Sequence, residues 1–318
     1  MMISSKIVQN LTSFDPTMIP EHFRPKTWPL WIVLGLLRLM LLLPWSVLMK
    51  IGTWMGGLVY KFIPQKRRDV LTTNLKLCFP VLSDTEREQL AQQHIHAMGK
   101  GVIDVGLAWW AGRRRLEPLA HFQGLEHLQK AMDEGKGVIL LSAHFTSVEM
   151  SGRLISHHFP IDTVYRPSEK PFTQYLLHVN RERHSARTIH KNNVRAMVRS
   201  LKQGHAIWYA PDQNMGTDKP LFVPFLGVET ATNTATSALA RITGAAVIPF
   251  LCLRRKEGKG YDLELSPPLE NFPSGDERQD AIRINEIFET WIRRQPEDYF
   301  WFHKRFKERP KGEKSFYE

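Results

Sequence analysis

From about residue 119 onward, short apolar runs alternate with amphipathic stretches. The apolar runs have the length of buried strands, and the stretches between them carry apolar residues at helical spacing. The predicted strands are residues 120–123, 138–143, 163–165, 206–209, 246–253 and 261–265. The predicted helices are residues 124–134, 147–158, 172–184, 193–203, 232–243 and 277–294. This order predicts an α/β fold with a single mixed or mostly parallel sheet flanked by helices.

A longer amphipathic stretch lies before this alternation and ends at Trp110. It begins with Ser83-Asp84-Thr85-Glu86, which has the spacing of a capping box, a motif that satisfies the first amides of a helix. Apolar residues then recur at helical spacing, which predicts one long helix with a core-facing stripe. The stripe consists of Leu90, Ile95, Met98, Val102, Val105 and Trp109.

The apolar segment 29–49 predicts an N-terminal membrane-anchoring helix. About 20 apolar residues are enough to cross a bilayer. Arg38 would cost about 2.5–3.5 kcal/mol in the hydrocarbon, and Pro44 would kink or end the helix, so a helix lying in one leaflet is the alternative. Basic residues are more numerous after the segment, which predicts a cytoplasmic catalytic part if the segment spans. We divide the chain into an arm with the anchor, residues 1–65, and a catalytic domain, residues 66–318.

Candidate chemistry lies where the predicted strand 138–143 meets the next helix. His144 ends the strand, and Thr146-Ser147-Val148-Glu149 has capping-box spacing, with Thr146 as N-cap. Ligands bind at this carboxyl edge of open α/β sheets. We expect the turn to bring Glu149 onto the imidazole, where a carboxylate fixes the tautomer and leaves the other nitrogen as a general base. The alternative is that Glu149 only completes a capping box and His144 only ends a strand.

Two further polar residues follow predicted strands at the same edge. Arg166 comes after strand 163–165 and offers a planar fork that suits phosphate, although a surface salt bridge is the ordinary role of a single arginine. Asp212 comes after strand 206–209, where it either shapes the site, contacts substrate or forms a turn beside Pro211. The loop 215–227 that follows is predicted to be either a lid or wall for the acyl chain, or an ordinary strand with a turn.

Charge and motif content narrow the function. The 318 residues carry a formal net charge of +11, which suits an anionic lipid surface, nucleic acid or an acidic protein partner. The two cysteines, Cys78 and Cys252, indicate no disulfide framework. The sequence contains no G-x-S-x-G, P-loop, H-E-x-x-H or paired C-x-x-C motif, which disfavours a serine esterase, an NTPase and a zinc enzyme.

Aromatic and basic residues are interleaved in segment 299–307. Such interleaving is typical of sites that stack single-stranded nucleic acid and of membrane-surface contacts. His303 within the segment is a second candidate base, but no carboxylate accompanies it at a defined spacing.

The run His144-Phe-Thr-Ser-Val-Glu149 resembles the H-x4-[D/E] motif of glycerolipid-type acyltransferases. The chain as a whole is similar to the late (secondary) acyltransferases of lipid A biosynthesis, the lauroyl/myristoyl transferases of Gram-negative bacteria. The similarity rests on motifs that occur in the family's order: Arg67-Arg68, Asn74-Leu75, Cys78-Phe79-Pro80, Tyr165-Arg166-Pro167, Pro211-Asp212-Gln213, and segments 239–245, 247–250 and 295–307.

The resemblance implies a glycerolipid-acyltransferase-like fold, with His144 and Glu149 catalytic and Arg166 and Asp212 binding substrate. It implies an acyl carrier protein thioester as donor and the 3-hydroxyl of a hydroxyacyl chain on a Kdo-bearing lipid A precursor as acceptor. No metal or bound cofactor is required. It also implies a place at the bacterial inner membrane, with the catalytic domain on the cytoplasmic side and no nucleic-acid partner.

Two alternatives stay open. The first is an acyltransferase for another class of anionic lipid, such as a lysophospholipid, glycerol phosphate or a phosphatidylinositol mannoside, although the Tyr165-Arg166-Pro167 match tells against glycerophosphate enzymes. The second alternative is a basic, non-enzymatic protein that binds membranes or nucleic acid. In that case replacing His144 would leave the function intact.

Overall fold

The computed structural model describes residues 25–214, 220–257 and 259–317, and within them seven strands form one sheet. In chain order all strands are β1 (Ala120–Gln123), β2 (Val138–Leu141), β3 (Ile161–Tyr165), β4 (Arg187–His190), β5 (Ala206–Tyr209), β6 (Leu221–Phe225), β7 (Val228–Thr232), β8 (Ala246–Arg254) and β9 (Tyr261–Leu265). The sheet has the order β1-β9-β8-β2-β5-β3-β4, and β6 pairs with β7 as a separate hairpin. Strands β8, β2, β5, β3 and β4 run parallel, whereas β8 and β9 pair antiparallel. The predicted α/β fold with a mostly parallel, mixed sheet is confirmed.

The seven helices predicted between residue 84 and residue 294 fall close to their predicted positions, and the structure contains further helices before and between them. In chain order the α-helices are α1 (Trp28–Met40), α2 (Trp45–Tyr60), α3 (Gln65–Cys78), α4 (Asp84–Trp110), α5 (Arg113–Leu116), α6 (Leu125–Asp133), α7 (Val148–Ile155), α8 (Pro171–Glu182), α9 (Val194–Lys202), α10 (Ala235–Thr243) and α11 (Glu277–Arg294). The capping box at Ser83 is confirmed: its hydroxyl accepts from the Glu86 N–H at 3.2 Å, and the Glu86 carboxylate accepts from the Ser83 N–H at 2.7 Å. This cap starts α4, which ends at Trp110 as predicted.

Strand β2 lies in the middle of the sheet, and its side chains divide between two apolar cores. Ile139 and Leu141 belong to the core that contains α11 and the aromatic C-terminal segment. Val138 and Leu140 belong to the core that contains α7 and part of α4. Successive strand residues point to opposite faces, and all four side chains are fully buried. A parallel strand covered on both faces reads as the continuous apolar run seen in the sequence.

Strand β4 was not predicted, and the hairpin β6–β7 lies in a segment for which two predictions were open. Strand β4 lies at the edge of the sheet, and its exposed Arg187 and His190 leave too little apolar pattern to indicate a strand. The hairpin β6–β7 turns at Leu226 (φ +50°) and Gly227 (φ +81°), backbone angles of the tight turns that connect hairpins. For the described part of loop 215–227, the strand-and-turn expectation is therefore confirmed; residues 215–219 lie outside the described residues.

The apolar segment 29–49 forms two helices rather than one. Helix α1 ends at Met40, and α2 begins at Trp45 with Pro44 as its N-cap. Proline lacks an amide hydrogen and forces the residue before it out of the helical region, so the helix breaks there. None of the α1 side chains is fully buried. In the described part of the chain, no helix combines the length and apolar character needed to cross a bilayer.

Helix α2 packs closely against α4 through glycines. A Cβ atom at Gly56 would lie 2.3 Å from the Ile95 carbonyl oxygen, and one at Gly99 would lie 2.0 Å from the Gly52 carbonyl oxygen. Only residues without side chains permit this approach of two backbones. Leu48 of α2 is fully buried in the core that also contains Val138 and Leu140. The division into residues 1–65 and 66–318 stays a prediction.

Candidate active site

Three neighbouring parallel strands bring their carboxyl ends to one cavity. The loops after β2, β5 and β3 carry His144, Asp212 and Arg166. All three residues thus lie at the edge of the sheet where the sequence predicted them. The cavity has a volume of about 250 Å³ and also receives side chains from α4, α7 and α8. Its polar and aromatic lining includes Trp109, His144, Glu149, Arg153, Arg166, Arg181, His184 and Trp208.

Asp212 holds His144 at two points. The His144 Nδ1–H donates to Oδ1 of Asp212 at 2.6 Å, and the His144 backbone N–H donates to Oδ2 at 3.1 Å. The Asp212 side chain is fully buried, whereas 33% of the His144 side chain is exposed. An ionised carboxylate only accepts hydrogen bonds, so Nδ1 carries the proton and Nε2 is the acceptor. Among the described residues Nε2 has no hydrogen-bond partner, which gives His144 the arrangement of an oriented general base.

The electrostatics of this pair favour a carboxylate beside an ionisable imidazole. Burial lowers the pKa of His144, but the charge and hydrogen bond of Asp212 outweigh it, so the pKa lies above the ordinary 6.5. Burial raises the pKa of Asp212, but His144 and a hydrogen bond from Tyr299 outweigh it, so the pKa lies below the ordinary 3.8. Asp212 therefore stays charged while His144 gains or loses a proton.

His303 is poorly suited to be the base. Its Nε2 accepts a hydrogen bond from the Asn214 N–H at 3.0 Å, so the lone pair that would take a proton is occupied. Burial lowers the pKa of His303 to about 4 despite the nearby Asp212. His303 is a neutral, partly buried residue whose ring nitrogen is engaged by the loop that follows Asp212.

Glu149 does not orient the imidazole, and that expectation is wrong. Its carboxylate accepts hydrogen bonds from Nε of Arg181 at 3.0 Å, from Nη2 of Arg181, and from the Trp109 indole N–H at 3.4 Å. Asp212 follows the strand next to β2 and reaches Nδ1 directly, whereas Glu149 lies on α7 facing Arg181 of α8. Glu149 and His144 share the cavity without a hydrogen bond or ion pair between them.

The predicted N-cap at Thr146 is also wrong. Helix α7 begins at Val148 after Ser147, and no side-chain hydrogen bond caps it. The Thr146 hydroxyl instead donates to Oδ1 of Asp298 at 3.0 Å and accepts from Arg254 at 3.1 Å. Its backbone N–H donates to the Asp298 carbonyl at 2.7 Å. The Thr146 hydroxyl thus binds a buried residue that is distant in sequence, Asp298, instead of capping the helix as the local pattern predicted.

This partner belongs to a buried charge network that braces the loop after His144. Arg254 at the end of β8 pairs with Asp104 of α4 at 2.6 Å and with Asp298 at 2.9 Å. The Tyr261 hydroxyl donates to Asp104 at 2.5 Å. Because Thr146 is tied to both Arg254 and Asp298, the network fixes the loop that carries His144. Side chains held this way give a site its preorganised geometry.

Arg166 lines the cavity, as its position after β3 predicted, but its side chain is 70% exposed. Its Nη2 lies 3.4 Å from Oε1 of Glu169, so the surface salt bridge considered from the sequence is also present. Asp212 is buried behind His144 and is not part of the cavity lining. Asp212 is thus a positioning partner of His144 and not the substrate contact that the resemblance implied.

Two cavity arginines were missed from the sequence. Arg153 lies one turn after Glu149 on α7, a spacing that places both on one face of the helix. That spacing was a usable signal. Arg181 lies on α8, and no local pattern indicates that it meets Glu149, because the pairing depends on how two helices pack.

Comparison with known proteins identifies the family. The family model described as bacterial lipid A biosynthesis acyltransferase matches residues 17–308. The chain belongs to this family.

Curated relatives of these lipid A acyltransferases align along nearly their whole length. The chain is 36% identical over 298 residues to the lipid A biosynthesis palmitoleoyltransferase of Escherichia coli (strain K12), covering 93% of this chain and 97% of that one. It is 34% identical over 309 residues to the lipid A biosynthesis lauroyltransferase of the same strain, covering 97% and 99%. It is 33% identical over 298 residues to a lipid A biosynthesis acyltransferase of Haemophilus influenzae, covering 93% and 95%. The protein is accordingly an acyltransferase of lipid A biosynthesis.

Several motif residues of this lipid A acyltransferase lie away from the cavity and hold the C-terminal segment. The Asn74 side-chain amide donates to the carbonyls of Trp301 at 2.7 Å and His303 at 2.8 Å. Arg305 is buried and donates to the Ala231 carbonyl at 2.6 Å. These residues fasten segment 299–307 to the body of the enzyme, and Phe300 of that segment donates its N–H to the His144 carbonyl at 2.9 Å.

Proposed function

We propose that the enzyme transfers a fatty acyl chain from an acyl carrier protein thioester to a hydroxyl of a 3-hydroxyacyl chain on a Kdo-bearing lipid A precursor. The His144–Asp212 pair, open to a cavity in a chain of the lipid A acyltransferase family, carries the proposal. The positive net charge of the protein agrees with two anionic partners, since charge complementarity speeds their encounter.

In the proposed reaction, Nε2 of His144 takes the proton of the acceptor hydroxyl. The hydroxyl oxygen forms a bond to the thioester carbonyl carbon, and the carbonyl oxygen becomes an oxyanion. The carbon–sulfur bond then breaks, the carbonyl re-forms, and the departing thiolate takes the proton from the imidazolium. Asp212 fixes the tautomer and stabilises the imidazolium, and general base help of this kind typically contributes about 10²–10⁴-fold in rate. Burial raises the pKa of both cysteine thiols, so an acyl-cysteine intermediate is disfavoured.

Glu149 acts in this proposal through Arg181. The two hydrogen bonds from Arg181 to Glu149 fix the guanidinium at the cavity wall. Arg181 lies near enough to His144 for its charge to act on the imidazole. A cation at that position would stabilise the oxyanion, which is usually the largest electrostatic contribution to acyl transfer. Glu149 is a positioning residue, and Arg181 the group that meets developing charge.

We further propose that the enzyme works at the cytoplasmic face of the bacterial inner membrane, with α1 and α2 in the lipid surface. The support is the apolar side chains that these two helices expose: Trp28, Leu30, Ile32, Val33, Leu36, Leu39, Val47, Trp54, Leu58 and Val59. Ile32, Leu36 and Leu39 are spaced three or four residues apart and so lie on one face of α1. Exposed apolar faces of this kind mark membrane or protein contacts. We propose no nucleic-acid partner, because the aromatic and basic residues of segment 299–307 hold that segment in the body of the enzyme.

The experiment is an acyl-transfer assay in detergent with a labelled acyl carrier protein thioester and Kdo-bearing tetra-acylated or penta-acylated precursors. His144→Ala should lower the transfer rate by about 10²–10⁴-fold. His121→Ala changes an exposed histidine on β1 at the far edge of the sheet and serves as the matched control. Equal rates for wild type and His144→Ala would exclude His144 as the base. If the wild type acylates only another lipid, the proposed acceptor is wrong.

A further inference from the structure

Arg153 is a partly buried cation that lines the active-site cavity without a counter-ion. Its Nε atom is buried and has no hydrogen-bond partner, and among the described residues no carboxylate lies within 4.0 Å of the guanidinium. The other two cavity arginines differ, since Arg181 pairs with Glu149 and Arg166 with Glu169. Removing a charge from water is costly unless an opposite charge or hydrogen bonds replace the water. The partly buried positive charge of Arg153 is therefore uncompensated, and a bound anion would stabilise it.

Two carboxylates in this region are already paired with other cations or histidines: Glu149 binds Arg181, and Glu117 contacts His157 beside Arg153. Glu117 accepts from Nε of Arg113 at 3.0 Å, and its oxygens lie 3.1 Å from Nδ1 of His157 and 3.1 Å from Nε2 of His158. Arg113 also acts on Arg153 as a like charge. Arg113 therefore adds positive charge near Arg153, and Glu117 is not free to neutralise it.

The histidines beside Arg153 do not supply the missing negative charge. Burial, with the Arg153 cation, lowers the pKa of His157 to about 4, and burial and Arg153 also lower the pKa of His184. Both rings are thus neutral near pH 7, while arginine stays charged at any physiological pH. His184 lines the same cavity, where its Nε2 lies 3.3 Å from the Trp109 carbonyl. This end of the cavity is lined by a cation and neutral polar groups, and such a pocket suits an anion.

We propose that Arg153 binds a phosphate ester group of a substrate in this cavity, an inference that rests on the proposed acyl transfer. The guanidinium fork matches the oxygens of a phosphate, which can accept two parallel hydrogen bonds. Two substrates of the proposed reaction carry this chemistry: the phosphopantetheine arm of the donor and the phosphorylated sugar of the acceptor. Arg153 and Glu149 lie on the same face of α7, so the phosphate binds one helical turn from the Glu149–Arg181 pair.

Arg153→Gln and Arg153→Lys test the proposal, with Arg195→Gln as control. Arg195 is an exposed arginine on α9 outside the cavity lining, and its replacement removes the same charge. The donors are acyl-4′-phosphopantetheine and acyl-pantetheine; the acceptors are the precursor with its phosphates and the same precursor after phosphatase treatment. We expect wild type and Arg195→Gln to prefer one phosphorylated form about tenfold to hundredfold in kcat/KM, the range that a charged hydrogen bond supplies. Arg153→Gln should lose that preference, and Arg153→Lys should keep part of it.

The arms distinguish every outcome. A preference lost only in the donor series assigns the phosphate to the phosphopantetheine arm, and one lost only in the acceptor series assigns it to the lipid sugar. A preference that survives in Arg153→Gln, or that wild type lacks for both substrates, overturns the proposal, as does a loss equal for phosphorylated and unphosphorylated forms. Calorimetric binding of the same four compounds repeats the comparison without turnover. If wild type transfers no acyl chain but binds a phosphorylated form through Arg153, the proposed function has failed and the phosphate site stands.

Discussion

The Asp212 carboxylate accepts both the side-chain Nδ1–H and the backbone N–H of His144, at 2.6 and 3.1 Å. One buried side chain thus fixes both the backbone of His144 and the orientation of its imidazole ring. The carboxylate comes from the loop after β5, the strand hydrogen-bonded to the one that delivers His144. Register between these two strands therefore determines whether the base is oriented.

Replacing Asp212 by Asn should lower kcat/KM about 10²–10⁴-fold. An amide cannot stabilise the imidazolium and, in one orientation, favours the tautomer with its proton on Nε2. Steady-state acyl transfer measures the effect. Circular dichroism and the unfolding temperature of Asp212→Asn separate lost chemistry from lost fold, and a folded variant within threefold of wild type would remove Asp212 from the mechanism.

The pH dependence of kcat/KM should show an acid limb set by His144. A base must be neutral to accept a proton, and Asp212 raises the pKa of His144 above 6.5 by favouring its charged form. Activity is therefore lost as the pH falls through a value above 6.5. In Asp212→Asn burial and the charge of Arg181 remain, and both lower the pKa of His144, so the acid limb should move to lower pH. An acid limb that stays in place in this variant would mean that another group titrates.

Glu149 and Arg181 should behave as one unit in a double-mutant cycle on kcat/KM. Glu149→Gln leaves the guanidinium unanchored, and Arg181→Gln removes the charge that Glu149 positions, so the double variant should be little worse than either single one. The expected coupling is about 0.5–3 kcal/mol, as for residues in direct contact. Glu169→Gln is the control because the Glu169 side chain is 89% exposed and lies outside the cavity lining. Additive losses would show that the two residues act separately.

Arg254→Met should destabilise the protein by about 3–5 kcal/mol, because it leaves the buried carboxylates of Asp104 and Asp298 without their cation. Arg294→Met removes a partly exposed pair with Glu264, also at 2.6 Å, and should cost about 0–1 kcal/mol. Denaturant unfolding followed by circular dichroism compares the two. Similar losses in the free energy of unfolding would contradict the expectation that unpairing buried carboxylates costs more than unpairing a partly exposed one.

Gly56→Ala should destabilise the protein by about 1–3 kcal/mol, since its Cβ would lie 2.3 Å from the Ile95 carbonyl oxygen and force α2 away from α4. Gly57→Ala is its neighbour on the same helix, and its Cβ would meet only the His96 ring at 3.6 Å. That variant should be neutral or more stable by about 0.5–1 kcal/mol, because alanine is the better helix former. Thermal unfolding of both proteins measures the difference, and equal stabilities would contradict the close contact.

The sequence predicted correctly those structural roles that depend on residues close by in the chain. The run Val138–Leu141 indicated a buried strand, and Ser83 with Glu86 indicated a helix start, because strand burial and capping leave short-range signatures. The edge of the sheet where His144, Arg166 and Asp212 would meet also followed from the order of elements. The partner of His144 did not, because the choice between Asp212 and Glu149 depends on strand order and helix direction. Arg254 was missed for the same reason: its partners Asp104 and Asp298 are joined to it only by the finished fold.

The glycines of α4 have a consequence for where an acceptor lipid can be reached. Gly99 meets α2, and a Cβ two residues later, at Gly101, would lie 2.8 Å from the Thr146 carbonyl oxygen in the loop after His144. Residues two apart on a helix face nearly opposite sides, so a single helix, about 10 Å across, separates the apolar arm from the loop that carries the base. If α1 and α2 rest in a lipid surface, as proposed, the reacting hydroxyl has to rise by little more than one helix thickness to meet His144. An acyl chain could thus be added while most of the acceptor stays among its lipid neighbours.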